Sequence, residues 1–468
     1  MKKTFWCGFG LLAGIVSFAQ SGVAGPQYDQ NVDKTFTVAP GGQLVISADM
    51  GPIHVVGGSA DKLEIHVLRR VEGGSQDEAD RIFARHEVTI AQDGNTVSVI
   101  AKNNNRNSGR ENLSVSYEVV APLRFDLELK TAGGDIHLDD LDGKLAARTT
   151  SGSIRAGKIT GSLDAKDAGG DITVKEVGQD ARASTTSGSI GIEKVGGTTE
   201  ASDAGGDIHV AEPTGDLSAE TTSGSISIGL ASGDVKAKDA GGDIHIDTAN
   251  GNVDIATTSG SLRIGLAKGE TLKAEDRGGD IEIGRADSAV NVDTTSGSIK
   301  IKFAGGLLKA RDAGGDIIID EAAKDADIRT SSGSIRIGSA QGKVEARNAG
   351  GDIHIDNAGA AVNAETSSGT IDIVFSAQPK DDSELAVAGG NINASVPPNA
   401  SLDIDAACQG GGVESELPLP VQGSASNGTF RGHLNGGGPR LNLRCSSGDI
   451  HLKRSSARSV AREAKANH

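Results

Sequence analysis

GSISIGLASGDVKAKDAG, residues 224–241, is followed directly by GDIHIDTANGNVDIATTS, residues 242–259. Both stretches place Ile at their third and fifth positions and a second apolar pair later, Val235/Ala237 and Val253/Ile255. Alternation of apolar and polar residues is typical of a strand with one buried face. Each stretch therefore predicts two short strands joined by a turn that contains Gly.

This block recurs with an almost constant period. In one version it carries Asp, at spacings of 36, 36, 36, 37, 36 and 36 residues: Asp135, Asp171, Asp207, Asp243, Asp280, Asp316 and Asp352. Midway between them the other version carries Ser153, Ser189, Ser225, Ser261, Ser298, Ser334 and Thr370. The structural unit is therefore about 18 residues long, and a fixed short period is typical of a unit stacked on itself.

We predict an all-β fold, a single-chain parallel β-helix or β-solenoid with about 18 residues per coil. Two main strands per coil are favoured, although an 18-residue coil also suits a left-handed hexapeptide helix, and the handedness is left open. Large Ile on one wall facing mostly Ala on the other fills a thin core without voids. Carboxylates on every coil would lie about 5 Å apart and repel, so the interposed Ser relieves that repulsion.

Five segments are predicted from changes in this pattern: 1–24, a signal peptide; 25–130, irregular N-terminal β coils and a cap; 131–373, the regular array; 374–452, irregular C-terminal β coils; and 453–468, a basic tail. Ser75-Gln76-Asp77-Glu78 has the pattern of a capping box and predicts a short helix to about His86. That helix would cover strand edges left open at the end of the stack.

The first residues predict export. Lys2 and Lys3 precede an apolar run that is too short to remain as a membrane span, and Gly22-Val23-Ala24 offers a cleavage site. The expected location is periplasmic, outer-surface or secreted, with no transmembrane segment in the mature chain. The formal net charge of −17 becomes −19 without the two lysines, so nucleic acid is not an expected partner. The basic tail suggests either a frayed end or contact with an anionic envelope polymer.

Two cysteines follow the predicted signal peptide, Cys408 and Cys445, and both precede turn-like sequences. Stacked coils bring equivalent positions about 4.8 Å apart, a separation that a disulfide tolerates. The alternatives are a disulfide between Cys408 and Cys445 or two buried free thiols.

Paired carboxylates at the Asp-Ala-Gly-Gly-Asp turns are weak candidates for calcium ligands. They are Asp167, Asp171, Asp203, Asp207, Asp239, Asp243, Asp312 and Asp316. Their spacing differs from the Gly-Gly-x-Gly-x-Asp period of calcium-binding β-rolls, so we favour aspartates that accept N–H groups of their own turn. A transition-metal ladder is not expected, because His137, His209, His245 and His354 are not on adjacent coils. No catalytic residue, cofactor or other metal site is predicted.

The Gly-Asp-Ile-x-Val repeats, the segment Val120–Asp139 and the closing Gly436–Leu452 resemble a bacterial family of unknown function described as candidate adhesins with β-strand repeats. The resemblance covers roughly residues 36–452 and implies an exported β-solenoid without a catalytic signature. The central array is unusually uniform for this pattern.

The functional hypothesis is a non-enzymatic exported solenoid, an adhesin whose long repetitive surface binds multivalently. A cell-surface glycan or an envelope polymer is the expected kind of partner. One alternative is a structural scaffold of the cell envelope that self-associates. A polysaccharide-acting β-helix enzyme is less favoured, because such enzymes need a cleft and aromatic residues for sugar stacking, and Phe303 is the only aromatic residue between 131 and 373.

Overall fold

The computed structural model describes residues 26–104, 112–417 and 428–455. The chain is all-β and forms a solenoid of about 15 turns with about 18 residues per turn and one short helix near the N-terminus, which confirms the predicted fold class. The predicted signal peptide and most of the basic tail lie outside the described residues. No helix in the described ranges has the length and apolarity that crossing a bilayer requires.

The elements of the N-terminal part are β1 (Gln27–Thr37), β2 (Gly42–Ala48), β3 (Ile53–Gly58), β4 (Lys62–Glu72), α1 (Gln76–Arg85), β5 (His86–Asp93), β6 (Thr96–Asn103), β7 (Leu113–Pro122) and β8 (Phe125–Thr131).

The regular array then follows with β9 (Ile136–Leu138), β10 (Leu145–Arg148), β11 (Ile154–Ile159), β12 (Leu163–Lys166), β13 (Ile172–Val177), β14 (Ala181–Ser184), β15 (Ile190–Val195), β16 (Thr199–Ser202), β17 (Ile208–Pro213), β18 (Leu217–Glu220), β19 (Ile226–Ala231), β20 (Val235–Lys238), β21 (Ile244–Ala249), β22 (Val253–Ala256), β23 (Leu262–Ala267), β24 (Thr271–Glu275), β25 (Ile281–Ala286), β26 (Ala289–Thr294), β27 (Ile299–Ala304), β28 (Leu308–Asp312), β29 (Ile317–Ala322), β30 (Ala326–Thr330), β31 (Ile335–Ala340), β32 (Val344–Asn348), β33 (Ile353–Ala358), β34 (Val362–Ser368) and β35 (Ile371–Phe375).

The C-terminal part consists of β36 (Ser383–Gly389), β37 (Ile392–Val396), β38 (Leu402–Cys408), β39 (Val413–Ser415), β40 (Thr429–Leu434), β41 (Arg440–Ser447) and β42 (Ile450–Arg454).

The strands of the described residues form two sheets of 21 strands each, and each coil of the array contributes one strand to each sheet. We call the sheet of the odd-numbered array strands the Ile sheet and that of the even-numbered ones the Ala sheet. Within the array, neighbouring strands of a sheet are parallel and in register at an offset of one coil, as Ile154 with Ile172 and Ile172 with Ile190. The 37-residue spacing arises between β23 and β24, where Asn252 Oδ1 accepts the N–H groups of Glu270 and Thr271, both at 3.0 Å.

The core lies between the sheets. The predicted Ile ladder and the facing Ala residues are buried, which the alternation of each strand requires. A third inward column, at the ends of the Ile-sheet strands, was not predicted from the sequence. It consists of Ile159, Val177, Val195, Pro213, Ala231, Ala249, Ala267, Ala286, Ala304, Ala322, Ala340 and Ala358. Two outward residues precede each of them, so they fall outside a strict alternation.

At the N-terminal end the order of strands in the stack differs from their order in the chain. Strand β3 lies between β7 and β9 in the Ile sheet, and β2 lies between β6 and β8 in the Ala sheet. The outer strands are antiparallel, β1 on β4 and β5 on β6. They pair with strand edges that would otherwise be open.

Helix α1 lies at this end, as the capping box predicts. The Glu78 N–H donates to Ser75 Oγ at 3.3 Å. Ile82 and Phe83 are buried and pack with Val71 in a small separate cluster.

The C-terminal end is interleaved in the same way. Strand β42 lies between β37 and β39, and β41 lies between β36 and β38. Strand β40 is antiparallel to β38 and forms the outer strand of the Ala sheet. The last coil in the chain is therefore not the last coil in the stack.

Candidate functional site

The repeating turn that leads into the Ile sheet holds two polar columns, which alternate from coil to coil. In the inner column, buried Thr and Asp side chains alternate, as Thr149, Asp167, Thr185 and Asp203 do. In the outer column, Asp alternates with Ser. Both columns run along the array on adjacent coils, so each side chain can reach the turn of the coil beside it.

Hydrogen bonds explain the alternation of the inner column. Asp167 accepts the N–H groups of Ala168 at 2.6 Å, Gly169 at 3.1 Å and Gly170 at 2.9 Å, all within its own turn. On the next coil the Thr185 hydroxyl donates to the Gly170 carbonyl at 3.1 Å. In each pair of coils, the Asp carboxylate therefore accepts the N–H groups of a turn, and the Thr hydroxyl of the next coil donates to a carbonyl of that turn.

The outer column also has a hydrogen-bonding role. Asp171 accepts the Ser189 N–H at 2.9 Å, and Asp207 accepts the Ser225 N–H at 2.8 Å. In the reverse direction the Asp207 N–H donates to Ser189 Oγ at 3.4 Å. Repulsion between stacked carboxylates explains why Asp is not on every coil. These hydrogen bonds explain why Asp and Ser both recur.

The eight candidate calcium ligands divide between these columns. Asp167, Asp203, Asp239 and Asp312 are buried in the inner column, whereas Asp171, Asp207, Asp243 and Asp316 are in the outer one. Burial raises the pKa of the Asp312 carboxyl, and N–H groups of its turn oppose that shift. Backbone donors occupy oxygens of all eight carboxylates, a use that needs no ion. Calcium binding at these turns stays a prediction.

The two cysteines lie opposite one another on neighbouring strands β38 and β41. Cys408 and Cys445 are joined by a disulfide, with their Cα atoms 4.5 Å apart. The bond links strands that are adjacent in the stack although β39 and β40 lie between them in the chain.

The outer faces of the two sheets carry charged side chains in columns. Neighbouring coils are linked by ion pairs such as Lys158–Glu176 at 3.0 Å, Arg182–Glu200 at 2.7 Å and Lys194–Glu212 at 3.7 Å. The repeating turns also carry Thr-Thr pairs, which do not form an exposed double array because the first Thr of each pair belongs to the buried inner column. The pairs are Thr149/Thr150, Thr185/Thr186, Thr221/Thr222, Thr257/Thr258 and Thr294/Thr295.

One cluster of potential metal ligands was missed by the sequence analysis. The interleaved strand β3 places His54 directly beside His137 of β9, with ring centroids 4.9 Å apart. One ligand atom each from His54, His137 and Asp139 lie within 4.8 Å of one another. The shared motif Ile-His-Val and Ile-His-Leu at residues 53–55 and 136–138 was the available signal. It could not reveal that the two coils are neighbours.

A buried polar cluster lies under the N-terminal end. The Arg69 guanidinium donates to the carbonyls of Phe83 and His86, and its Nε has no partner. Neither ring nitrogen of His86 nor the Tyr117 hydroxyl has one either. Burial lowers the pKa of His86, with the nearby Arg69 charge acting in the same direction, and burial raises the pKa of Tyr117.

Solved structures that are similar to this chain include two candidate adhesion proteins. A candidate cell adhesion protein from Clostridium sporogenes is 9% identical, with 91% of this chain and 100% of that chain covered and a TM-score of 0.17. A candidate adhesin from Bacteroides fragilis is 12% identical, with 59% and 97% covered and a TM-score of 0.22. Likeness at this level says nothing about the function of this chain.

No curated protein matches the chain significantly. The family described as Toastrack DUF4097 matches residues 124–202, 200–311 and 290–453, a span that takes in the whole regular array and the interleaved C-terminal end. This match confirms the family resemblance of the repeats, and the chain belongs to the Toastrack DUF4097 family.

Proposed function

We propose that this protein is a non-enzymatic adhesin, exported to the periplasm, the cell surface or the medium. In this proposal its outer faces bind a repetitive polymer, such as a cell-surface glycan or an envelope polymer. The observation that carries the proposal is the constant spacing of exposed side chains over thirteen coils from Gly134 to Ser368. A ligand that repeats along its length could contact many coils at once, so weak contacts would add up by avidity.

The charged columns suit this role. Parallel in-register strands place equivalent side chains about 4.8 Å apart, and the ion pairs of the outer faces are exposed, as in Arg182–Glu200, where the side chains are 60% and 58% accessible. Exposed ion pairs contribute about 0–1 kcal/mol each. Their groups can therefore exchange partners with a polar ligand at little cost in stability.

The constant coil length supports a non-enzymatic role. Between residues 134 and 368, all of which the structure describes, the register changes by one residue at a single turn. Long loops that could form the walls of a cleft do not rise from this part of the array. The polar groups of the repeating turns are engaged in hydrogen bonds that hold the coils together.

Deleting whole repeats tests the proposal. Removing residues 206–241 joins Gly205 to Gly242 and keeps the Asp/Ser alternation. Removing residues 170–241 joins Gly169 to Gly242, keeps the same alternation and deletes twice as many coils. A glycan array and intact bacterial cells would first identify a surface that the mature chain binds. Affinity for that surface should then fall stepwise with the two deletions, because avidity depends on the number of contacts.

Circular dichroism of both deletion variants would check that they keep the β-sheet spectrum. Full affinity in both would place binding at the ends and contradict the proposal. Concentration-dependent filaments by light scattering, with no binding to any surface, would support the self-associating scaffold instead.

A further inference from the structure

We propose that His54, His137 and Asp139 form a site for a divalent transition metal, with Zn²⁺ and Cu²⁺ as the ions that its ligands favour. Glu118 is proposed to orient His54 in this site. The inference is independent of the adhesin proposal, because it concerns the interleaved N-terminal end and not the repeating faces.

Backbone pairing holds the site together. Strand β3 is paired with β7 on one side and β9 on the other, so Glu118, His54 and His137 are neighbours across three strands. Their side chains point away from the core, and His54 and His137 are 38% and 49% accessible. Asp139 follows two residues after His137 and faces the same side. Two separate parts of the chain therefore supply the ligands and a third supplies Glu118, on a sheet whose register fixes their positions.

The three ligand atoms lie almost close enough together to bind one ion. The three ligand atoms lie within 4.8 Å of one another, and His137 Nε2 is 3.6 Å from Asp139 Oδ1. Zn²⁺ binds imidazole nitrogen and carboxylate oxygen at about 2.0–2.2 Å. Rotation of the exposed His137 and Asp139 side chains would close the remaining gap. Two imidazoles and one carboxylate favour Zn²⁺ or Cu²⁺ over Ca²⁺, which prefers oxygen ligands.

Glu118 lies beside His54 on β7, on the side of β3 opposite to His137. Its Oε2 lies 2.9 Å from His54 Nδ1. With Nδ1 engaged by this carboxylate, Nε2 is the nitrogen of His54 that is left to bind a metal. A carboxylate that holds the second nitrogen of a metal-binding His fixes the ring orientation and raises its basicity. Glu118 is therefore a positioning residue.

Other coils of the Ile sheet also carry a His-x-Asp sequence at the position of His137, but without a second His on the neighbouring strand. His245 lies 2.8 Å from Asp247, but its neighbours on adjacent strands are Ser227 and Arg263. Among the described residues, only the group at His54 brings three potential metal ligands within reach of one ion. The interleaving of β3 creates it, since the coils that follow His137 in the chain supply Arg155 and Thr173 at this position.

The test uses the mature chain without a polyhistidine tag. Isothermal titration with ZnCl₂ and with CuCl₂ should show one equivalent that is lost in the double variant His54→Ala/His137→Ala. The spectrum of bound Cu²⁺ by electron paramagnetic resonance should show two nitrogen ligands. Glu118→Gln should weaken binding by about 10- to 100-fold, the usual effect of removing such a partner. His245→Ala should leave the titration unchanged.

Failure of the wild-type chain to bind either ion would overturn the proposal. So would unchanged binding by the double variant, an equal loss in His245→Ala, or tighter binding of Ca²⁺ than of Zn²⁺. Neither histidine is buried, so circular dichroism should show the double variant folded. A rise in the melting temperature with Zn²⁺, absent in the double variant, would show independently that the ion binds the folded chain through these histidines.

Discussion

The regular array and the two ends of the solenoid use the same coil in different ways. In the array, the neighbour of each strand in the stack is the strand one coil away in the chain, as for Ile226 and Ile244. At the ends, β3 and β42 are inserted between strands that come much later or much earlier in the sequence. Local repetition therefore determines the array, whereas nonlocal docking determines the ends.

Buried polar groups differ between the inner column of the array and the N-terminal end. Every Thr, Asp or Asn in the inner column from Thr149 to Thr366 has a hydrogen-bond partner, including Asn348, whose Nδ2 donates to the Gly333 carbonyl at 2.7 Å. At the N-terminal end, buried atoms of Arg69, His86 and Tyr117 have none. In the inner column, repetition gives a solution that applies to every coil. Where a residue departs from the repeat, as Thr199 and Ser288 do elsewhere in the array, or where the N-terminal end folds irregularly, buried polar groups are left without a partner.

The largest expected effect is a break of the stacking in the array. A Cβ at Gly224 would lie 1.8 Å from the carbonyl oxygen of Gly206 on the adjacent coil. Gly224→Ala should lower the free energy of unfolding by about 3 kcal/mol or more, because backbone must move to admit the methyl group. Urea unfolding followed by circular dichroism measures this.

Gly191 provides the matched control, since a Cβ there would meet nothing within 4 Å. Gly191→Ala should stabilise the strand by about 0.5–1 kcal/mol, the usual difference between Gly and Ala in a strand. Equal losses in the two variants would show that close backbone contact between coils does not control stability.

The second prediction concerns the C-terminal end. Cys408 and Cys445 close a loop with a sequence separation of 37. Cys408→Ser/Cys445→Ser should destabilise this end by about 2–4 kcal/mol, because the unfolded chain gains the freedom that the bond removes. Hydrogen exchange followed by mass spectrometry should show faster exchange in β38 to β42 and unchanged exchange in the array. Alkylation of both thiols in the unreduced wild-type chain would contradict the disulfide.

The third prediction concerns the hydrogen bonds of the inner column. Asp312→Ala should cost about 1–3 kcal/mol, because the N–H groups of Gly314 and Gly315, in part-buried hydrogen bonds, lose their acceptor. Asp312→Asn should cost much less, since Asn348 already fills the equivalent position and accepts the Gly350 N–H at 3.0 Å. Melting temperatures of the two variants would rank them. An Asn variant as unstable as the Ala variant would mean that the carboxylate charge is required.

Much of the array could be predicted from its sequence, because an 18-residue period fixes both the register and the buried Ile ladder. Helix α1 was also predictable, since a capping box is a local signal. The third inward column was missed because residues such as Ile159 break the alternation. The neighbours of β3 could not be predicted, because a degenerate coil can dock on any free strand edge of matching pattern. For that reason His54 and His137 were not recognised as a pair.

The smallest expected effect is a pH response that is confined to the N-terminal end. His86 is fully buried, and burial and Arg69 lower its pKa in the folded chain. The unfolded chain therefore binds a proton at His86 more readily than the folded chain does. Stability falls with decreasing pH wherever the unfolded state binds more protons. The loss should begin near pH 6.5, the ordinary pKa of histidine, and continue down to the lowered pKa.

Tyrosine fluorescence can report this end separately. The chain has two tyrosines, Tyr28 and Tyr117, and both belong to the N-terminal part. The urea midpoint from tyrosine fluorescence should fall between pH 7.5 and 5.5, and His86→Leu should reduce that fall because an uncharged side chain replaces the titrating one. His433→Gln, at an exposed position of β40 in the other end, should leave the fall unchanged. If His86→Leu keeps the full pH response, another group at this end must titrate, and the buried cluster is not its cause.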